Sequence, residues 1–261
     1  MSGSRPGSLF TDLFTLVLAV GVALLIRTFL FQSFYVPSES MYPTLLVGDH
    51  VFVNKFVYGP GLAGTRARLP ALRPPRRGTV VVFQLARGPG GIYPADERPD
   101  LPRDAFVKRL VGLPGDRVAF RDEHLILNGV PVAQERTGEH FTDHGGRVFD
   151  VVIEDLPGCR HYVLDDPRHP GIDMPEITVK PDRYLFLGDN RDNSYDGRRV
   201  GTVRRADLAG PADLLYWSWD WNGSWLSLLS PITWWQNLTR KTRWSRIGWF
   251  HGCLEAGPPR A

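Results

Sequence analysis

The sequence has few cysteines and little net charge, and these two scarcities exclude several classes of protein. Two cysteines among 261 residues cannot form a disulfide scaffold or a structural zinc cluster. The formal net charge of +3 is too small to indicate nucleic-acid binding. No internal repeat is visible, and a mean hydropathy of −0.20 excludes a protein made mostly of membrane spans. A single span is not excluded.

Glycine and proline are abundant, with 27 and 22 residues, and they favour a turn-rich and strand-rich body. Short runs rich in β-branched and aromatic residues, each bounded by glycine or proline, predict strands. These runs are residues 50–56, 79–85, 105–111, 117–120, 125–127, 148–153, 162–164 and 184–187. The predicted fold class is therefore all-β, with loop-rich insertions at about 60–77, 86–104 and 131–181.

One concentrated apolar block lies near the amino terminus. Residues 13–26 (LFTLVLAVGVALLI) contain only one polar side chain, Thr15, and apolar residues resume after Arg27. A helix over the 19 residues 13–31 spans roughly 28 Å, close to the hydrocarbon thickness of a bilayer. We predict a cytoplasmic tail at 1–10, a transmembrane helix at 11–31 and an extracytoplasmic catalytic domain at 32–261. The alternatives are a buried core helix and a cleavable signal peptide, whose small-x-small cleavage pattern Ser38 and Ser40 would form.

All eight tryptophans follow position 216, and Trp217, Trp219 and Trp221 alternate with polar residues as in a half-buried strand. They are expected to pack in the core or to rest at a bilayer interface.

The first segment with chemical interest, PSESMYPTL, follows the apolar block. Pro37 and Pro43 fix the backbone on both sides of Ser40 and hold its hydroxyl on a rigid, non-helical turn. A serine becomes nucleophilic only beside a base, so this segment alone decides nothing.

The second segment, FVKRLVGLPGD, contains Lys108. Strand alternation places Lys108 on one face with Phe106 and Leu110, where burial would lower the pKa of its amine and make it a general base. The alternative is an edge-strand lysine that extends to water.

The third segment, GDNRDNSYDGR, follows the predicted strand 184–187. It imitates the start of a calcium loop, but Val203 occupies the twelfth position, where a glutamate is required, and calcium is rejected. Such a loop is expected to pair its own charges and to bond neighbouring turns, and Ser194 could orient a base.

The three segments together, in this order and behind an amino-terminal anchor, closely resemble bacterial type I signal peptidase over residues 27–251. The resemblance implies an all-β catalytic core, shared with LexA-like proteins, and an additional β-rich subdomain. It implies that Ser40 is the nucleophile, Lys108 the general base and Ser38 an oxyanion donor. Ser194 would orient Lys108, and Asp196 and Arg198 would form a supporting ion pair. The implied substrate pockets for small P1 and small or aliphatic P3 residues are lined by Phe34, Val36, Pro37, Leu45, Phe106 and Val107.

This resemblance predicts a membrane-anchored serine endopeptidase that removes signal peptides from exported preproteins. It implies a single-pass protein of the bacterial cytoplasmic membrane, whose partners are preproteins and the lipid bilayer, without nucleic acid, metal or cofactor. A self-cleaving Ser/Lys regulator of the LexA type would need an amino-terminal DNA-binding helix pair in place of the span. An inactive anchored scaffold would lack Ser40 or Lys108. The pairing of Cys159 and Cys253 stays open at this stage.

Overall fold

A computed structural model describes residues 6–29, 31–59, 69–220, 239, 241–250 and 252–254. Part of the predicted insertion 60–77 and Trp221 lie outside these residues.

A helix, α1 (Pro6–Phe29), occupies most of the apolar block. The side chains of residues 11–22 are all exposed, and those of Leu13, Phe14 and Val17 are about 60% exposed. This part of the helix therefore does not contribute to a buried core, which argues against the core-helix alternative. Within the described part of the chain, no helix is both long and apolar enough to cross a membrane.

The rest of the described chain is mostly β-structure, and each of the eight predicted strands is present. Strands β1 to β8 are Phe31–Tyr35, Asp49–Asn54, Val80–Gly88, Gly91–Pro94, Arg103–Gly112, Arg117–Arg121, His124–Leu127 and Val130–Pro131. Strands β9 to β16 are Gln134–Thr142, Val148–Leu156, Cys159–Asp165, Met174–Thr178, Arg183–Leu187, Val203–Arg204, Leu208–Ser218 and Gly248–Trp249. A four-residue helix, α2, spans Gly197–Val200. The mostly β fold class is confirmed.

The largest sheet among the described residues has the order β1-β2-β15-β3-β5-β13-β14, with β4 beside β3 and β16 beside β15. Strand β5 pairs antiparallel with β3 from residue 103 to 109. Its other edge pairs with β13 only from Arg109 to Gly112. In the described structure, β5 therefore leaves one edge unpaired over residues 103–108, immediately before and at Lys108.

Two smaller sheets have the orders β11-β10-β9 and β12-β6-β7-β8. The segment 131–181, expected to be rich in loops, contains four of their strands, β9 to β12. The segment 86–104 likewise forms the β3–β4 hairpin and the start of β5. Strand β9 has few β-branched residues and is mostly exposed, so its pairing with β10 outweighs its weak strand propensity.

Opposite faces of β5 contribute to different apolar clusters. Val107 packs with Val36, Leu45 and Val51 beneath the Ser40 turn. Phe106 packs on the other face against the cluster that contains Phe186. Alternation along β5 therefore separates the environments of consecutive residues.

The tryptophans among the described residues differ in exposure. Trp217 and Trp219 are half-buried and meet edge to face, as the alternation predicts. Trp244 and Trp249 are exposed, by 55% and 74%. Contact of these side chains with lipid stays a prediction.

Candidate active site

Ser40 lies in a single helical turn, Glu39–Met41, that follows β1. The turn is held down because Met41 and Leu45 are fully buried in the apolar cluster beneath it. Ser40 is 7% exposed, whereas Ser38 at the start of the turn is exposed. The two hydroxyl oxygens lie 3.2 Å apart. This arrangement places the Ser38 hydroxyl within reach of a group bound at Ser40.

Lys108 reaches Ser40 from β5. Its Nζ donates to Ser40 Oγ over 2.5 Å and to the Val107 carbonyl over 3.1 Å. The side chain is buried, with 4% of the residue exposed. Two segments separated by 68 residues are thus joined by a direct hydrogen bond between a hydroxyl and an amine.

Burial lowers the pKa of Lys108 from 10.5 to about 8, because desolvation disfavours the ammonium form. The negative charges of Asp196 and Asp189 partly oppose this shift. With this pKa about a tenth of the amines are neutral at pH 7 and about half at pH 8, and only the neutral form can act as a general base. The strand alternation left open whether Lys108 is buried, and a lower pKa is the direction expected once it is buried.

The predicted ion pair forms in the third segment. Arg198 and Asp196 are both buried, and Arg198 Nη2 lies 2.9 Å from Asp196 Oδ2. Asp196 also accepts the Gly188 main-chain N–H over 2.9 Å. Burial by itself raises the pKa of Asp196, but Arg198 and these hydrogen bonds outweigh burial and lower it. The pair fixes the segment against β13, which ends at Leu187.

Ser194 was expected to orient Lys108, but the structure shows no hydrogen bond between the two side chains. The Ser194 Oγ is buried and has no hydrogen-bond partner among the described residues. A Cβ at Gly188 would lie 2.2 Å from Ser194 Oγ and 2.5 Å from the Ser40 carbonyl oxygen. Glycine at position 188 is therefore what allows Ser194 and the Ser40 turn to approach each other. The orientation of Lys108 by Ser194 stays a prediction.

A groove of about 470 Å³ passes over the Ser40–Lys108 pair, and Ser38, Phe106 and Ser194 also line it. Among the other predicted substrate contacts, Val36 and Leu45 are buried and Phe34 and Val107 are partly buried in the cluster beneath Ser40. Pro37 is exposed. Phe106 lies on the groove side of β5, opposite Val107.

A family model described as signal peptidase, peptidase S26, matches residues 10–217. The chain belongs to this family. Signal peptidase I of Pseudomonas aeruginosa is 33% identical over 219 residues, covering 76% of this chain and 69% of that protein. Signal peptidase I of Leptolyngbya laminosa is 32% identical, covering 78% of this chain and 77% of that protein. A solved signal peptidase I from Enterococcus faecalis V583 is 22% identical and covers 54% of this chain and 98% of that chain. Its TM-score of 0.30 is too low to add to the fold described above.

Family membership identifies the chain as a signal peptidase, a hydrolase of peptide bonds, and confirms the resemblance drawn from the three segments. It also disfavours the LexA-type regulator and the inactive scaffold.

Two asparagines that were not singled out from the sequence hold the Ser40 turn of this signal peptidase. The Asn190 main-chain N–H donates to the Ser40 carbonyl, and its side chain donates to the Glu39 carbonyl, each over 3.2 Å. Asn193 donates to the Glu39 carboxylate over 3.2 Å. The Asp- and Asn-rich composition of this loop predicted hydrogen bonds to neighbouring turns. It did not indicate that the Ser40 turn accepts them.

Two buried ion pairs beneath the site were also missed. Arg109 donates from Nε and Nη2 to the two carboxylate oxygens of Asp189, over 2.7 and 2.6 Å. Arg191 makes an equivalent pair with Glu154, over 2.6 and 2.5 Å. His161 lies between the pairs, and its pKa is well below the usual value because of burial and the two guanidinium groups. Alternation implied that Arg109 faces away from Lys108, but not that it is buried.

The described residues include one group of carboxylates that approach one another closely enough for a metal ion, Glu123, Asp165 and Asp192. Asp192 already accepts main-chain N–H groups from Asp166 and Gly171. Asp165 pairs with Arg136 over 2.8 Å. Two of the three carboxylates therefore already have protein partners, and the cluster is given no role in the proposed chemistry.

Proposed function

We propose that this signal peptidase removes signal peptides with Ser40 as nucleophile and Lys108 as general base. The observation that carries the proposal is the 2.5 Å hydrogen bond between Lys108 Nζ and Ser40 Oγ inside a groove. A buried amine whose pKa is lowered to about 8 can accept the hydroxyl proton, which an ordinary lysine cannot do near neutral pH.

The reaction follows from this pair. Neutral Lys108 takes the Ser40 proton while Oγ attacks the carbonyl carbon of the P1 residue, and a tetrahedral oxyanion forms. Collapse breaks the C–N bond, and Lys108 returns the proton to the leaving amine. An acyl group then remains on Ser40. Lys108 next takes a proton from water, the resulting hydroxide attacks the ester, and Ser40 recovers its proton as the signal peptide leaves.

The oxyanion requires donors that are present before the reaction begins. The Ser38 hydroxyl, 3.2 Å from Ser40 Oγ, and the Ser40 main-chain N–H are the proposed donors. In this proposal Ser194 supports the base, and the Asp196–Arg198 pair holds the third segment in place.

The substrate is proposed to bind as an added strand. The unpaired edge of β5 over residues 103–108 offers main-chain groups to an extended peptide and ends at Lys108. Side chains P1 and P3 of an extended peptide point to the same face. We propose that Phe34, Val36, Leu45 and Val107, which pack in the apolar cluster beneath Ser40, form the floor of the P1 and P3 pockets. Pro37, which is exposed, and Phe106, which borders the groove, complete the proposed lining. Small P1 residues and small or aliphatic P3 residues therefore suit this site.

The proposal includes a membrane anchor at residues 11–31 and a catalytic domain on the extracytoplasmic face of the bacterial cytoplasmic membrane. The exposed apolar side chains of residues 11–22 support it, because such a surface is costly in water. The Cys159–Cys253 disulfide supports a location outside the cytoplasm, where such bonds persist. The proposed partners are exported preproteins and the bilayer.

The experiment that tests this function is cleavage of an unprocessed preprotein by the purified full chain in detergent, with the products identified by mass. The matched substrate carries phenylalanine in place of alanine at P1. We expect cleavage after the alanine and at least about a tenfold lower kcat/KM with phenylalanine, because the packed floor cannot accept a large ring. Equal cleavage of both substrates, or cleavage at unrelated bonds, would contradict the proposed specificity.

The Ser38→Ala substitution is expected to lower kcat by about 10²-fold, the usual effect of removing one oxyanion donor, and to change KM little. Steady-state kinetics with the same preprotein measure both constants. Ser38→Thr retains a hydroxyl and should recover part of the activity, and the exposed Ser245→Ala change serves as control. Unchanged kcat in Ser38→Ala would remove Ser38 from the proposed oxyanion site.

A further inference from the structure

The Cys159–Cys253 disulfide ties the carboxy-terminal segment 252–254 to β11, across 94 residues of sequence. The Leu254 N–H donates to the Arg160 carbonyl over 2.6 Å, so the segment lies beside the start of β11. This bond therefore fixes where the main chain on either side of Cys253 is placed.

One main-chain group of this segment, the Gly252 carbonyl, contacts the fully buried Arg109. Nη1 of Arg109 donates to Gly252 O over 2.5 Å and to Gly78 O over 2.7 Å. Nη2 donates to Asp189 and to Thr44 Oγ1, and Nε donates to Asp189. A guanidinium has five N–H donors, and here each has an acceptor. The disulfide-tethered segment supplies one of the five.

Arg109 in turn contacts the elements that position the proposed catalytic pair. It directly follows Lys108 in β5. Its partner Asp189 precedes Asn190, whose N–H donates to the Ser40 carbonyl over 3.2 Å. Thr44 lies in the segment that continues from the Ser40 turn. Movement of the guanidinium would therefore be transmitted to both members of the pair.

We propose that the Cys159–Cys253 disulfide acts as a positioning element, holding the Gly252 carbonyl on Arg109 so that Ser40 and Lys108 stay aligned, and that full catalytic activity requires the oxidised bond. This inference rests on the Ser40–Lys108 function proposed above. Without the Gly252 carbonyl, one buried N–H of the guanidinium keeps only the 3.6 Å contact with Cys159 Sγ, and sulfur is a weak acceptor. The guanidinium then shifts toward water and draws Asp189 and the adjoining Asn190 with it.

The redox step is an ordinary disulfide reduction. One phosphine and one water molecule yield one phosphine oxide, and the two sulfur atoms gain two electrons and two protons as the thiols of Cys159 and Cys253. Oxidised glutathione reverses the step by exchange, taking up those electrons and protons as two molecules of reduced glutathione.

The test uses the full chain in detergent and compares kcat and KM for one preprotein before reduction, after phosphine treatment and after reoxidation. Circular dichroism selects a temperature at which the reduced chain is folded. We expect reduction to lower kcat by at least about tenfold while KM stays within about twofold, and reoxidation to restore kcat. In the Cys159→Ser/Cys253→Ser control, kcat should already be low and should not respond to phosphine.

Unchanged kcat in the folded, reduced chain would overturn the inference. Failure of the reduced chain to fold under every condition would also overturn it, because the bond would then serve stability alone. The Ser40→Ala variant distinguishes the two proposals. If it is inactive while reduction has no effect, only the positioning role fails, whereas full activity in Ser40→Ala removes the proposed function itself.

Discussion

Replacement of Lys108 by methionine is expected to lower kcat by at least about 10³-fold, because the variant keeps an unbranched apolar side chain but has no base for the Ser40 proton. Kinetics with an unprocessed preprotein measure the loss. Lys180→Met is the matched control, since Lys180 is exposed. Activity in Lys108→Met within tenfold of the unmodified chain would exclude Lys108 as the base.

The pH dependence of cleavage is a second test of Lys108. The base works only when neutral, so kcat/KM of the unmodified chain should rise with pH through an apparent pKa of about 8.

The free energy of unfolding should also depend on the protonation of Lys108. Its pKa is lower when folded than the ordinary 10.5, so the unfolded chain binds more protons between these values. The free energy of unfolding, relative to Lys108→Met, should therefore increase from pH 8 to 10.5. A flat difference would show that Lys108 is not desolvated.

Replacement of Arg109 by leucine is expected to reduce the free energy of unfolding by about 3–5 kcal/mol, because Asp189 then remains buried without its counter-ion. Both side chains of the pair are fully buried, so solvent does not screen the loss. Urea unfolding at neutral pH measures the effect.

Two further variants separate the charge effect from lost packing. Arg109→Leu/Asp189→Leu removes both charges and should be more stable than Arg109→Leu alone. Arg98→Ala breaks an ion pair whose side chains are 41% and 59% exposed, and its effect on stability should be far smaller than that of Arg109→Leu, because solvent screens the pair. A cost below about 1 kcal/mol for Arg109→Leu would contradict the assigned role of the buried pair.

Local pattern was sufficient for part of this fold. The eight strand runs rich in β-branched and aromatic residues are all strands, because in these runs propensity and burial favour the same structure. Alternation also placed Lys108 on one face with Phe106 and Leu110. It left open whether the amine is buried or extends to water, because burial depends on what packs against the strand. The segment 131–181 was predicted to be loop-rich, but it contains strands β9 to β12. The polar strand β9 is stabilised by its pairing with β10, and local composition does not encode this pairing.

The candidate site was also predicted only in part from the sequence. Family motifs indicated Ser40, Lys108, Asp196 and Arg198, and the structure brings these residues into two direct contacts. They did not indicate that Arg109 and Asp189, 80 residues apart, form a buried pair, or that Cys253 returns to Cys159. Such contacts depend on how distant strands pair, so they emerge only from the assembled sheet.

The most direct test of the central claim is the Ser40→Ala variant, assayed on an unprocessed preprotein in detergent beside Ser245→Ala. Intact mass spectrometry follows the appearance of the mature chain. If Ser40 is the nucleophile, Ser245→Ala releases the mature chain at the unmodified rate, and Ser40→Ala, although folded, releases none above background. Release of the mature chain by Ser40→Ala at the unmodified rate would contradict the account.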